Sequence, residues 1–165
     1  MDAKEIAERY KAGERDFRGV DLHRADLSGA KLKWADLTEA ILTLADLGRA
    51  NLHGANLHRA GLSGAILSEA NLNGADLSKA DLRGAKLYGT YLKGATLTAT
   101  NLRGAILTGA ILSDADLISS TLTSATLTGA NLRRANLSGA TVTAKHLAQA
   151  KSLKGATMPN GSVHE

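Results

Sequence analysis

The stretch from Gly74 to Ala95 reads GADLSKADLRGAKLYGTYLKGA, with leucine at 77, 82, 87 and 92. Two places before each leucine stands a small residue: Ala75, Ala80, Ala85 or Thr90. The spacing holds far beyond this stretch. Centred on 17, 22, 27 and so on to 142, it gives 26 consecutive five-residue units, with Phe17 first, Val142 last and leucine at all 24 centres between. Alanine stands two before the centre in 21 units, the exceptions being Arg15, Val20, Thr90, Thr100 and Ser120. Asp or Asn precedes the centre in 14 units, and glycine stands two after it in 12.

One long helix is excluded. Five residues advance a helix by about 500°, so successive leucines would wander around every face. One long strand is excluded too, because an odd spacing sends each leucine to the opposite side of its neighbour. Three extended residues followed by a two-residue corner satisfy the pattern. The small residue and the leucine then point inward, the residue between them points outward, and the corner restores the parity. Such a coil stacks on the next at about 4.8 Å, pairing backbone between coils, with leucine layered on alanine inside. The period alone leaves open how many units close a coil.

The motif A(D/N)LxG, as in ADLSG (25–29), ANLHG (50–54), ANLNG (70–74) and ADLRG (80–84), resembles the pentapeptide-repeat family. The opening ERYKAGERDFRGVDL and the close SLKGATMPNGS resemble the termini of short stand-alone members abundant in cyanobacteria. The resemblance implies a right-handed quadrilateral β-helix with four units per coil. The expected organisation is a single domain: a capping helix and lead-in over residues 1–14, the β-helix over 15–144, and a cap and tail over 145–165. Asp2 with Glu5 predicts a capping box at the start of a helix over residues 2–12, and Gly13 stands where that helix would stop. Thr143 starts a second short helix extending through Ala150. Leu153, the next centre, lies six rather than five from Leu147, with Met158 five further on, which predicts a register slip of one.

A bore filled by leucine leaves no room for a substrate, so the chain is expected not to be an enzyme. Serines and threonines recur by periodicity at corners, and no Ser/His/Asp order stands out. No phosphate-binding glycine motif is present. The chain has no cysteine, which rules out disulfides and thiolate metal sites. His53 and His58 read as solvated corner residues, and no metal or cofactor is expected. No apolar run suggests a leader or a membrane span, and a cytoplasmic location is expected.

With four units per coil, the formal charge of +4 resolves by face. Three faces sum to -1, +1 and -1, while the fourth carries Lys31, Lys33, Lys93, Arg133 and Arg134 against Asp114 alone. The best understood relatives protect type II topoisomerases by resembling duplex DNA. That role needs dense carboxylates, which this chain lacks, so mimicry is disfavoured. Nucleic-acid binding through the basic face is the alternative, although Lys31/Lys33 and Arg133/Arg134 lie toward opposite ends. Outward apolar residues carry more information, because a solenoid wall needs none. Lys86, Tyr88, Tyr91 and Lys93 surround one corner, with Ile66, Ile106 and Ile111 on the same two faces, a mixture found at interaction hot spots. The resulting expectation is a rigid interaction module, monomeric or weakly dimeric, whose partner is another protein.

Overall fold

In the computed structural model, which describes residues 1–165, the chain coils as a right-handed quadrilateral β-helix closed by short helices. Parallel bridges join each outward residue to the one twenty places on, from Asp16 with Asp36 to Thr121 with Thr141. Twenty residues are four units, which settles the number per coil. Each unit is three extended residues and a two-residue corner.

Backbone hydrogen bonding explains the consensus. In the unit Ala75 to Lys79, the Ala75 N–H closes the preceding corner on Leu72 O at 3.0 Å, and the Asp76 N–H reaches back one coil to Ala55 O at 3.0 Å. Leu77 and Lys79 donate forward one coil, to Thr96 O at 2.7 Å and Thr98 O at 2.9 Å. Only the N–H of the first corner residue, Ser78, lacks a backbone acceptor, and Asp76 Oδ1 accepts it at 2.8 Å. All 14 Asp or Asn residues at this place accept the N–H two residues on, at 2.8 to 3.2 Å. An orphaned N–H is costly, and Asp and Asn are the side chains best shaped to serve one locally.

The second corner residue has positive φ in every unit from Gly19 to Gly139, as the third position of a type II turn requires. Glycine meets that demand most cheaply. Thirteen other residues nonetheless adopt it, including Trp34 at φ 61° and Leu44 at φ 59°.

The bore is closed. Leu37 through Leu137 line it at 0–1 % exposure, interleaved with buried alanines. Thr90 and Thr100, which replace alanine, also point inward and donate their hydroxyls to Leu67 O and Leu77 O, each at 2.7 Å. Ser120 is equally buried, yet its hydroxyl has no partner.

At the N-terminal end, α1 (Ala3–Lys11) lays the buried Ile6 over the first coil, where Phe17 is also buried. Half of the expected capping box forms. Asp2 Oδ1 accepts the Glu5 N–H at 2.8 Å, while the Glu5 carboxylate turns instead to Arg9, 3.6 Å away. Tyr10 donates its hydroxyl to Lys33 O at 2.9 Å and is covered by the Arg15 guanidinium, 3.7 Å from the ring centre.

At the other end, α2 (Ala144–Leu147) starts on Thr143, whose hydroxyl accepts the His146 N–H, and buries Leu147. It ends before Ala150, because Ala148 closes the turn. One extra residue then enters the coil, and the bridges resume as Asn131 with Ser152 and Asn136 with Thr157, twenty-one apart. The β-helical pairing therefore continues past residue 144 into the segment expected as cap and tail. The chain then turns at Gly161 and pairs Val163 antiparallel to Thr157.

Two substitutions test this interior. Leu77→Ala empties part of a fully enclosed bore and is expected to cost about 2–5 kcal/mol. Ser120→Ala removes a buried hydroxyl that bonds to nothing, so it is expected to leave stability unchanged or raise it by roughly 1 kcal/mol. Denaturant melts of both variants check the pair; a Ser120→Ala protein as unstable as Leu77→Ala would contradict the packing described.

Candidate interaction surface

The stacking of coils turns distant outward residues into columns. On the third face the column runs Asp46, Ile66, Lys86, Ile106 and Thr126, and on the fourth Asn51, Asn71, Tyr91, Ile111 and Asn131. Tyr88 occupies the corner between these faces. Tyr88 and Tyr91 are 44 % and 45 % exposed, and Lys86 and Lys93 are exposed beside them. Ile66, Ile106 and Ile111 stand at outward positions but are only half-buried, each shielded by the rungs above and below. The tyrosines and lysines are thus the accessible part of the cluster, and the isoleucines form its shoulders.

The tyrosine unit departs from the consensus in its corner hydrogen bond as well. Tyr91 cannot supply the acceptor that Asp or Asn gives elsewhere, and Asn73, one coil earlier, accepts the Lys93 N–H at 2.9 Å instead. This cross-coil bond satisfies the corner while leaving the Tyr91 ring free.

The basic face is not one patch. Arg134 forms a two-pronged pair with Asp114, Nε to Oδ1 at 2.6 Å and Nη2 to Oδ2 at 2.9 Å, which cancels one of the five cations. That pair, with the nearby charges of Lys93 and Arg133, holds the Asp114 carboxyl below the usual aspartate range. Lys31 and Lys33 belong to the first coil, five coils away, or roughly 24 Å. Other ion pairs span neighbouring corners, Arg49 with Glu69 at 3.0 Å and Arg59 with Glu39 at 3.5 Å.

His53 and His58 engage different partners. His53 meets the Trp34 ring edge-to-face at 5.0 Å, while His58 Nδ1 lies 2.8 Å from Ser78 Oγ. Ser78 also donates to Asp76 Oδ1 at 2.6 Å. This Ser/His/Asp trio was hidden in the sequence because twenty residues separate His58 from Ser78. The serine stands in the middle, whereas acyl transfer needs the imidazole between hydroxyl and carboxylate, so the trio is a corner tether. Trp34, 59 % exposed, lies across Gly54, where a methyl group would meet its ring at 2.0 Å.

Several aspartates are held acidic by their corners. Asp16 is lowered to about 2, chiefly by the Arg18 side chain and then by the Arg18 N–H. Asp81 is lowered by the equivalent Arg83 and Asp26 by the Ser28 hydroxyl. A carboxyl depressed in the folded state stabilises it above the unfolded value, near 4, and loses that contribution as pH falls through the folded value. The melting temperature is therefore expected to stay level from pH 7 to about 5 and to fall between about 4 and 2. A thermal melt series checks this; an undiminished Tm at pH 2 would contradict it.

Comparison with known proteins agrees with this geometry. The family model described as pentapeptide repeats matches in eight copies, over residues 14–43, 45–84, 75–114 and 110–143. The chain is 31 % identical to HetL, a pentapeptide repeat protein involved in heterocyst differentiation regulation in the cyanobacterium Nostoc sp. strain PCC 7120. That match covers 99 % of this chain and 100 % of HetL, with a TM-score of 0.38. It is 30 % identical to Rfr23 from the cyanobacterium Cyanothece 51142, over 74 % of this chain and 92 % of that one, with a TM-score of 0.50. QnrB1, a plasmid-mediated fluoroquinolone resistance protein, matches at 19 % identity over 87 % and 78 %, with a TM-score of 0.53, and shares the fold. No curated protein matches the chain in sequence.

Proposed function

Since this chain belongs to the pentapeptide-repeat family, we propose that it acts without chemistry, as a rigid module that presents the Tyr88/Tyr91 corner to a partner protein. The observation that carries this reading is the alignment of Lys86, Tyr88, Tyr91 and Lys93 around one corner. Two exposed rings on a rigid wall bury large area at little entropic cost, and flanking lysines add orientation. The filled bore supports a non-enzymatic role, because a site for chemistry needs a concave, water-excluding cavity.

The charge pattern speaks against the two alternatives. A DNA mimic needs a continuous carboxylate field, and a formal charge of +4 opposes one. A nucleic-acid binder needs cations in register along the phosphates, whereas Lys31/Lys33 and Arg133/Arg134 lie toward opposite ends with Lys93 alone between them, and Arg134 is paired with Asp114. No helix is long and apolar enough to cross a membrane, and we place the protein in the cytoplasm, as a monomer or weak dimer.

The experiment is affinity capture from the source organism with mass spectrometry, comparing wild type with Tyr88→Ala/Tyr91→Ala. Both substitutions are on the surface, so the Tm is expected to be retained, while recovery of a specific partner falls at least about tenfold. Equal recovery by the double variant would remove the tyrosine corner as the interface.

A further inference from the structure

The two ends of a β-helix are sheet edges, and here they are not covered alike. Helix α1 crosses the first coil from the second face, where the Met1 amino group reaches Asp21 O at 3.2 Å, to the far corner, where Tyr10 holds Lys33 O. It seals the bore but misses the fourth-face rung. One coil further on, the Asn51 N–H donates to Ala30 O and the Asn51 carbonyl accepts from Leu32 N, both at 2.8 Å. The corresponding N–H and C=O of Lys31 have no partner in the protein. Unpaired strand edges of this kind accept an added strand.

The surroundings of this rung are specific. Ala7, Tyr10, Lys11 and Lys31 line a hollow between α1 and the fourth face. Tyr10 is fixed there by its bond to Lys33 O, by the Arg15 guanidinium over its ring and by Arg15 Nη1 on its carbonyl. Lys11, Lys31 and Lys33 are exposed, and none has a carboxylate within 4.0 Å. The neighbouring third-face rung is open in the same way at Asp26, but its carboxylate stays charged beside Ser28 and repels acid.

We propose that the Lys31 rung is a second docking site, which takes an extended acidic peptide segment of a partner protein by strand addition. The segment's backbone pairs with the Lys31 N–H and C=O. Alternate apolar side chains rest on Ala7 and Tyr10, and the carboxylates between them meet Lys11, Lys31 and Lys33. Asp26 confines the segment to one face. A peptide fits better than single-stranded nucleic acid, because nucleic acid uses successive stacking platforms along a charged groove and this hollow offers one fixed ring. The site is separate from the tyrosine corner and stands or falls without it.

The probe is a fluorescently labelled decapeptide of alternating glutamate and valine, titrated at low salt and read by anisotropy. Saturable binding is expected, weakened at least about tenfold by Lys31→Glu/Lys33→Glu, by N-methylation of the peptide backbone, or by reversal of the peptide charge to lysine. Tyr88→Ala/Tyr91→Ala serves as the control and is expected to bind as wild type does. Absence of saturable binding at about 1 mM peptide would overturn the proposal, as would binding indifferent to N-methylation or to the Lys31→Glu/Lys33→Glu change in a variant of unchanged Tm. Tighter binding of a labelled oligothymidylate would assign the site to nucleic acid instead. A protein mass that grows with concentration, and stops growing in Lys31→Glu, would assign the rung to a second copy of the chain.

Discussion

The consensus of this rod follows from one requirement: a backbone that turns every five residues must still find acceptors, in the protein or in water, for its five N–H groups. Two donate to adjacent coils from the extended segment, one from the second corner residue, and one closes the corner itself. The remaining N–H, that of the first corner residue, has no backbone acceptor. In 14 of the 26 units an aspartate or asparagine two residues earlier supplies one, as at Ser78, Arg83 and Ile118. The polar half of the consensus is therefore a hydrogen-bond requirement and the apolar half a packing requirement, and neither leaves the wall free to carry function by default. Residues that depart from the consensus are the ones neither requirement explains.

The breaks are informative because they are compensated. Tyr91 forfeits the side-chain acceptor, and Asn73 replaces it from the previous coil. Thr90 and Thr100 bring hydroxyls into an apolar bore, where leucine carbonyls accept them. Trp34 holds a left-handed backbone and an exposed ring, and Gly54 leaves it room. Ser120, by contrast, has no compensation, and its buried hydroxyl is left without a partner.

The fold could be read from the fives, because only a strand-corner unit keeps an odd repeat facing one way. Four units per coil could not, since the period is silent about closure; the resemblance supplied it, and the pairing of Asp16 with Asp36 shows it. The slip beyond Leu147 was visible as a spacing of six, but its consequence was not. The extra residue rejoins the coil, so that Ser152 and Thr157 still find partners. The tyrosine corner was legible as a departure from pattern. The half-burial of Ile66, Ile106 and Ile111 was not, because it depends on neighbours twenty residues away. Nor was the Asp114 to Arg134 pair, which neutralises one of the face's five cations across twenty residues of sequence. The open Lys31 rung follows from the path of α1 across the end, which no local pattern encodes.

Native-state amide exchange at single-residue resolution tests the hydrogen-bond account most directly. The first corner N–H of Ser78, Arg83 and Ile118 is predicted to be protected by its aspartate, and that of Lys93 by Asn73, whereas those of Tyr88, Thr108 and Ser113, which have no acceptor, exchange fast. Removal of Asn73 by Asn73→Ala should bring Lys93 to the Tyr88 rate without altering Ser78. Equal exchange at all these corners, whatever precedes them, would contradict the account.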